Sequence, residues 1–190
     1  DSALTISFLN AILEYKEGQR IVSLTILPAA NLPEHIESKE TFVDVKCIDE
    51  QGKTYIIEVQ IGAKDDFFDR AVYYVAKNLS HQLYKGDRYS KLLPVIFVAI
   101  LDFSLFDDDS EYCSRYKIKN DKTNKVGNNM MNFNFIELPK FQKKLEDITT
   151  DADRWTYLMK KAEFLEKIPT QMQELDDFIM MYGSNGRFLY

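Results

Sequence analysis

The chain has 190 residues, is 45% hydrophobic and carries a formal net charge of −6. This length and composition suit one well-packed domain, and the acidic balance argues against binding of nucleic acid through bulk positive charge. The longest mostly apolar run, residues 92–101, is too short to cross a bilayer, and the two cysteines match neither a disulfide framework nor a CxxC metal site. We therefore expect a soluble, cytosolic protein.

Hydrophobic periodicity divides the chain into the elements of an α/β protein. In chain order, the predicted elements are a helix over 2–13, a strand over 21–27, a β-hairpin over 41–62, a helix over 64–84, a strand over 94–101, a second hairpin over 112–138, and helices over 141–148, 152–168 and 171–182. The continuous apolar run at 94–101 is typical of a strand that is buried on both faces. The helix at 64–84 has an apolar stripe made of Phe68, Ala71, Val72, Val75, Leu79 and Leu83.

The first hairpin has a well-defined register. Its predicted strands, 42–48 and 53–61, flank the turn-forming residues 49–52. Antiparallel pairing around this turn places Asp44 opposite Glu58. The face that we expect to be buried carries Val43, Val45, Cys47, Tyr55, Ile57, Val59 and Ile61. The opposite face carries the charged residues, in the pairs Asp44 with Glu58, Phe42 with Gln60, and Lys46 with Ile56.

Two carboxylates are thus predicted side by side on the sheet. Directly opposed side chains have Cβ atoms about 4.5–5.5 Å apart, and like charges at that separation are destabilising. A divalent cation such as Mg²⁺ would neutralise the pair, since one or two carboxylates together with waters commonly hold this ion. The simpler alternative is an ordinary amphipathic hairpin in which Lys46 softens the repulsion.

The spacing of these residues resembles a nuclease signature. Asp44, thirteen intervening residues and then Glu58-Val59-Gln60 are similar to the D…E-x-K motif of the PD-(D/E)XK nuclease superfamily, with Gln60 in the Lys position. The whole chain more closely resembles the Rpn family of recombination-promoting nucleases, also described as transposases. The landmarks of this resemblance are residues 6–13, 58–60, 70–74, 82–83, 86, 89, 100–103 and 135–141.

The resemblance implies an α+β fold with a restriction-endonuclease-like αβββαβ core and a mixed central sheet. Residues 1–150 would form the nuclease-like domain, including an added hairpin at 112–138. Residues 151–190 would form a C-terminal helical extension packed on it. The expected partner is double-stranded DNA, in recombination or transposition, with no membrane association and with homo-oligomers as an option.

The activity that the resemblance implies is a DNA endonuclease dependent on Mg²⁺ or another divalent cation. Asp44 and Glu58 would ligate the cation, which polarises the scissile phosphate and activates water. Gln60 would orient the attacking water, although a neutral amide lends no positive charge to the transition state. The candidate substrate-binding residues are Lys46, Arg70, Tyr73 and Gln82.

Other interpretations of the sequence remain open. The acidic charge and the neutral Gln60 favour a catalytically inactive nuclease-fold module that binds DNA or protein in a mobile element. A carboxylate-dyad hydrolase acting on sugars is a weaker alternative.

Glu14 could add a carboxylate from the first helix, although a surface role is simpler. Basic clusters that could contact phosphate are Lys77, Lys85, Arg88 and Lys91, and further on Arg115, Lys117, Lys119, Lys122 and Lys125.

Overall fold

The computed structural model describes residues 2–28, 30–31 and 41–161, in which there are three α-helices and eight strands. In chain order they are α1 (Ser2–Ile12), β1 (Leu24–Leu27), β2 (Ala30–Asn31), β3 (Thr41–Phe42), β4 (Val45–Asp49), β5 (Thr54–Gln60), α2 (Phe67–Ser80), β6 (Val95–Leu101), β7 (Cys113–Lys117), β8 (Met131–Glu137) and α3 (Asp151–Lys161). None of the helices in this part of the chain has the length and apolar character needed to span a membrane.

Six strands form one mixed sheet in the order β1-β4-β5-β6-β8-β7. The pairs β1–β4, β4–β5 and β7–β8 are antiparallel, whereas β5, β6 and β8 run parallel to one another. The series α1, β1, β4, β5, α2 and β6 is the αβββαβ core that the sequence predicts. Every residue of β6 is buried, because this central strand has neighbours on both sides and helices over both faces.

The predicted register of the first hairpin is confirmed. Val45 pairs with Ile57, and Lys46 pairs with Ile56. In the turn, the Gly52 N–H donates to the carbonyl oxygen of Asp49 at 2.9 Å. Gly52 has a φ of +81°, a backbone conformation that favours glycine, and a Cβ at this position would also displace the end of the Leu93 side chain, which lies 2.6 Å away.

The predicted start of the first hairpin strand is wrong. The strand begins at Val45, and Thr41–Phe42 pairs instead with Ala30–Asn31, so Phe42 does not lie opposite Gln60. The bend around residue 44 interrupts the alternation of faces, and Val43 consequently packs in the core beneath α2 rather than on the face predicted for it. Ile61, which was expected in the core, follows the end of β5 and is exposed.

Apolar side chains cover both faces of the sheet. One core lies between the sheet and the helices α1 and α3, where the Phe8 and Trp155 rings meet edge to face at 5.6 Å. The other core lies under α2, where Phe67 packs on Phe97 and Phe135. The charged face of the hairpin is therefore partly covered by a helix and is not an open sheet surface.

Helix α2 is shorter than the predicted helix, and of the predicted stripe Phe68, Ala71, Val75 and Leu79 pack in the core whereas Val72 does not. Phe67, Ala71, Tyr74 and Val75 are its most buried apolar residues, while Val72 is 38% exposed. The stripe begins at Phe67 because this ring fits between Phe97 and Phe135. Placing Phe67 inward turns Val72 toward solvent.

The second predicted hairpin forms, and its strand β8 also pairs in parallel with β6, so the hairpin completes the central sheet. The predicted helix over 141–148 is wrong, because only Leu145–Asp147 forms a single 3₁₀ turn. Buried Phe141, whose carbonyl accepts from Lys160 of α3, holds this segment extended. Helix α3 is the described part of the helix predicted over 152–168, and the helix predicted over 171–182 lies outside the described residues.

Candidate functional site

Asp44 and Glu58 are held together by two reciprocal hydrogen bonds. The Asp44 N–H donates to Glu58 Oε2 at 3.1 Å, and the Val59 N–H donates to Asp44 Oδ2 at 2.6 Å. Carboxylate oxygens thus accept from backbone groups at the point where the β4–β5 ladder ends. This arrangement explains the bend at Asp44, and it holds the two carboxyl groups side by side just beyond the last paired residues, Val45 and Ile57.

The two carboxyl groups occupy different environments. Glu58 is only 8% exposed under α2, whereas Asp44 is exposed. Burial raises the pKa of Glu58 to about 7, and the negative charge of Asp44 acts in the same direction, while the positive charge of Arg70 opposes it. Glu58 therefore changes its protonation state near neutral pH, where it can accept or release a proton.

Gln60 is bound by Arg70, which lies on the first turn of α2. The Arg70 Nη2 donates to Gln60 Oε1, and since a guanidinium can only donate, this contact fixes the orientation of the amide. The Gln60 Nε2 donates to the carbonyl oxygens of Ile61 and Gly62 at 2.8 and 3.4 Å. The guanidinium also lies 4.9 Å above the Phe67 ring. Arg70 therefore places a positive charge directly beside the Gln60 amide.

Tyr74 is a residue of this site that the sequence analysis missed. It is 9% exposed, and burial together with the charge of Glu58 raises the pKa of its hydroxyl. Tyr73, the residue predicted instead, is 41% exposed on the outer side of α2. Helical spacing could have distinguished the two, because Tyr74 lies four residues after Arg70 and next to buried Val75.

The remaining predicted residues have other environments. Lys46 is half-buried on the face that carries the carboxylates, and burial lowers the pKa of its ammonium. Gln82 lies beyond the far end of α2, where its amide exchanges two hydrogen bonds with the backbone of Leu93 at 2.7 and 3.0 Å. Glu14 pairs with Arg115 at 2.9 Å. The structure therefore brings Arg70, and neither Gln82 nor Glu14, to the carboxylate pair.

The donor set is compatible with a hard divalent cation. Each backbone hydrogen bond described above uses one oxygen of a carboxylate, and the two carboxyl groups are close enough to share a proton in a side-chain hydrogen bond, a position that a cation can take instead. Mg²⁺ is commonly held by one or two carboxylates, with water and phosphate oxygens completing the shell. No group of three or more His, Cys, Asp or Glu residues suited to a metal occurs within the described ranges. A cation here would thus depend on Asp44 and Glu58.

A six-stranded mixed sheet with an αβββαβ core, and an Asp–Glu pair at the end of its central hairpin, define a protein of the PD-(D/E)XK nuclease superfamily. Residues 1–181 match the model of the PD-(D/E)XK nuclease family transposases, and the chain belongs to this family. Neither the curated proteins nor the solved structures gave a match. The family description names a nuclease and a transposase, and both classes act on DNA.

Proposed function

We propose that this protein is a divalent-cation-dependent DNA endonuclease, with Mg²⁺ as the physiological ion, that acts on double-stranded DNA in recombination or transposition. The observation that carries the proposal is the Asp44–Glu58 pair, in which reciprocal hydrogen bonds hold a buried carboxyl beside an exposed one. Once Glu58 is ionised, two like charges this close are unfavourable without a counter-ion. A bound divalent cation would neutralise both carboxylates and so stabilise this arrangement.

Asp44 and Glu58 would hold the cation through their carboxylate oxygens. When bound, such an ion stabilises charge on a phosphoryl oxygen and makes water a better nucleophile. Glu58 binds a cation only after it has lost its proton, so binding should strengthen as the pH rises through about 7. Asp44, being exposed, keeps one side of the pair accessible to a phosphodiester.

Arg70 would supply the positive charge that Gln60 lacks. Its planar guanidinium suits bidentate contact with phosphate oxygens, and only one of its five N–H donors is used by Gln60. Gln60 then acts as the support that positions Arg70, with its own Nε2 anchored on the backbone carbonyls of Ile61 and Gly62. In this assignment the amide positions a cation and does not itself orient the attacking water.

A second candidate function is a nuclease-fold module that has lost cleavage. The observation in its favour is that both ends of the Gln60 amide are used in hydrogen bonds within the protein. This module would bind DNA or a protein partner without needing the carboxylate pair. Replacement of Asp44 would then leave its binding unchanged.

Cleavage of supercoiled plasmid tests the proposal. The purified protein should nick or linearise the plasmid in Mg²⁺ and should be inactive in EDTA, and both Asp44→Asn and Glu58→Gln should abolish cleavage. Glu111→Gln is the matched control, because it removes one negative charge from an exposed position away from the pair. Equal cleavage by all variants would identify a contaminant. DNA binding without cleavage by wild-type protein would favour the inactive module.

A further inference from the structure

A polar cleft lies at the end of the sheet opposite the carboxylate pair. It has a volume of about 500 Å³ and is formed by the segment after α1, the β4–β5 turn, and the starts of β6 and β8 beside β7. This size is within the range of small-molecule sites. Lys53 marks this end of β5, about 16 Å along the strand from Glu58. The cleft also opens on the α1 face, whereas Glu58 lies under α2, so the two sites are separate.

The cleft is lined mainly by positively charged side chains, whereas the chain as a whole is negatively charged. Among the described residues, the cleft is lined by Lys16, Lys53, Arg115 and Lys117 and by one acidic residue, Glu14, although the whole chain has a net charge of −6. Arg115 pairs with Glu14, and Lys53 lies 4.0 Å from Asp49. Lys16 and Lys117 have no ion-pair partner within the described residues. The cleft therefore concentrates positive charge that the protein itself does not neutralise.

Arg115 is held in place for binding. Its Nη1 donates to Glu14 at 2.9 Å, and its Nη2 donates to the carbonyl oxygen of Ile12, also at 2.9 Å. The guanidinium also hydrogen-bonds the Cys113 side chain, and together these contacts fix its orientation at the cleft. A rigid guanidinium loses little conformational freedom when it binds an anion.

Two buried amides form the floor of the cleft. Asn132 and Asn134 of β8 lie on the same strand face as Ile136, whose side chain is in the apolar core. Asn132 Nδ2 donates to the Asn129 carbonyl at 2.7 Å, and Asn134 Nδ2 donates to the Phe97 carbonyl at 3.1 Å. Each of these bonds uses one N–H of an amide that also carries a second N–H and a carbonyl oxygen. These two amides give the floor of the cleft a polar surface at positions where the strand pattern favours apolar residues.

We propose that this cleft binds a small phosphate-bearing ligand of the size of a mononucleotide. Lys16, Lys117 and Arg115 would contact the phosphate, because guanidinium and ammonium groups form strong charge-assisted hydrogen bonds with it. Asn132 and Asn134 would bond the polar edge of the base, a recognition that Asn side chains provide for adenine. A concave site formed by several segments suits a compact ligand better than a continuous nucleic-acid backbone. The inference is independent of the proposed nuclease activity.

Calorimetric titration with AMP and ATP tests the inference, performed in EDTA so that no cation links a nucleotide to Asp44 and Glu58. Wild-type protein should bind one nucleotide per chain. Lys117→Ala and Lys16→Ala should each weaken binding by at least about tenfold, the value expected for loss of one charge-assisted hydrogen bond. Lys122→Ala is the matched control, since it removes a lysine of the same β7–β8 hairpin that does not line the cleft.

The lysine variants and a competing oligonucleotide show whether a nucleotide binds in this cleft. Lys16 and Lys117 are exposed, so their replacement should preserve the fold, which circular dichroism can verify. A 12-nucleotide single-stranded DNA should not displace bound AMP. Absence of nucleotide binding, or equal affinity in all variants, would overturn the inference. Displacement of AMP by the oligonucleotide would also overturn it, because the cleft would then be a nucleic-acid contact.

Discussion

Replacement of Glu58 by Gln should stabilise the protein in a pH-dependent way. The pKa of Glu58 is about 7 in the folded protein, compared with 4.5 as the ordinary value. This difference corresponds to a loss of about 3 kcal/mol in the free energy of unfolding once the carboxyl is ionised in both states. The neutral amide of Gln can keep the hydrogen bond from the Asp44 N–H without this cost.

The sign follows from which state holds the proton. Below pH 4.5, Glu58 is protonated in both the folded and the unfolded chain, so the substitution should have little effect. Between pH 4.5 and 7 the folded chain retains the proton that the unfolded chain has lost, and wild-type stability falls as the pH rises. The advantage of Glu58→Gln should therefore grow from near zero at pH 4.5 to about 3 kcal/mol at pH 8.

Urea denaturation in EDTA at several pH values between 4.5 and 8 measures this advantage. Glu111→Gln serves as the control, because it removes an exposed carboxylate and should give a difference that stays small at every pH. Adding Mg²⁺ at pH 8 should stabilise wild-type protein and reduce the advantage of the variant, since a ligand that binds only the folded state raises stability. A destabilising effect of Glu58→Gln at pH 8, or an effect that does not change with pH, would contradict a raised pKa of Glu58 in the folded protein.

Three further predictions concern the side chains around the pair and the attachment of α3. Arg70→Ala should slow plasmid cleavage by about 100-fold, the cost of losing one stabilising donor, and adding Gln60→Lys should restore part of the rate. Tyr74→Phe should lower the cleavage rate by about tenfold, because it removes a hydroxyl that interacts with Glu58, whereas Tyr73→Phe should have little effect. Comparable losses in the two variants would refute the placement of Tyr74, rather than Tyr73, in the site. Asp153→Ala should lower the free energy of unfolding by about 1–3 kcal/mol in urea denaturation, because the partners of this fully buried carboxylate, among them the exposed Lys143, lose their charge-assisted hydrogen bonds.

The sequence was most informative about the first hairpin. Alternation of apolar and charged residues on two strands allows only one register, because a shift of one residue would bury the charges. This constraint correctly predicted that Asp44 and Glu58 lie together. It could not predict the bend at Asp44, because the bend arises from hydrogen bonds between side chains and backbone of different strands.

Long-range contacts explain the features that the sequence did not reveal. Asp153 gives no signal in the sequence beyond the start of a helix. In the structure it is fully buried and accepts hydrogen bonds from Lys143 at 2.7 and 2.8 Å and from Tyr112 at 2.8 Å. The link between Arg70 and Gln60 likewise depends on how α2 crosses β5. Periodicity predicts which face of an element is buried, but it does not predict which polar groups meet across elements.

The central claim is that Asp44 and Glu58 together hold a divalent cation, and calorimetric titration with Mn²⁺ tests it most directly. Wild-type protein should bind an ion that neither Asp44→Asn nor Glu58→Gln binds, while Glu111→Gln binds it normally. The affinity should increase between pH 6 and pH 8 as Glu58 loses its proton. Equal binding by wild-type protein and Asp44→Asn, or no binding by wild-type protein at pH 8, would contradict the claim.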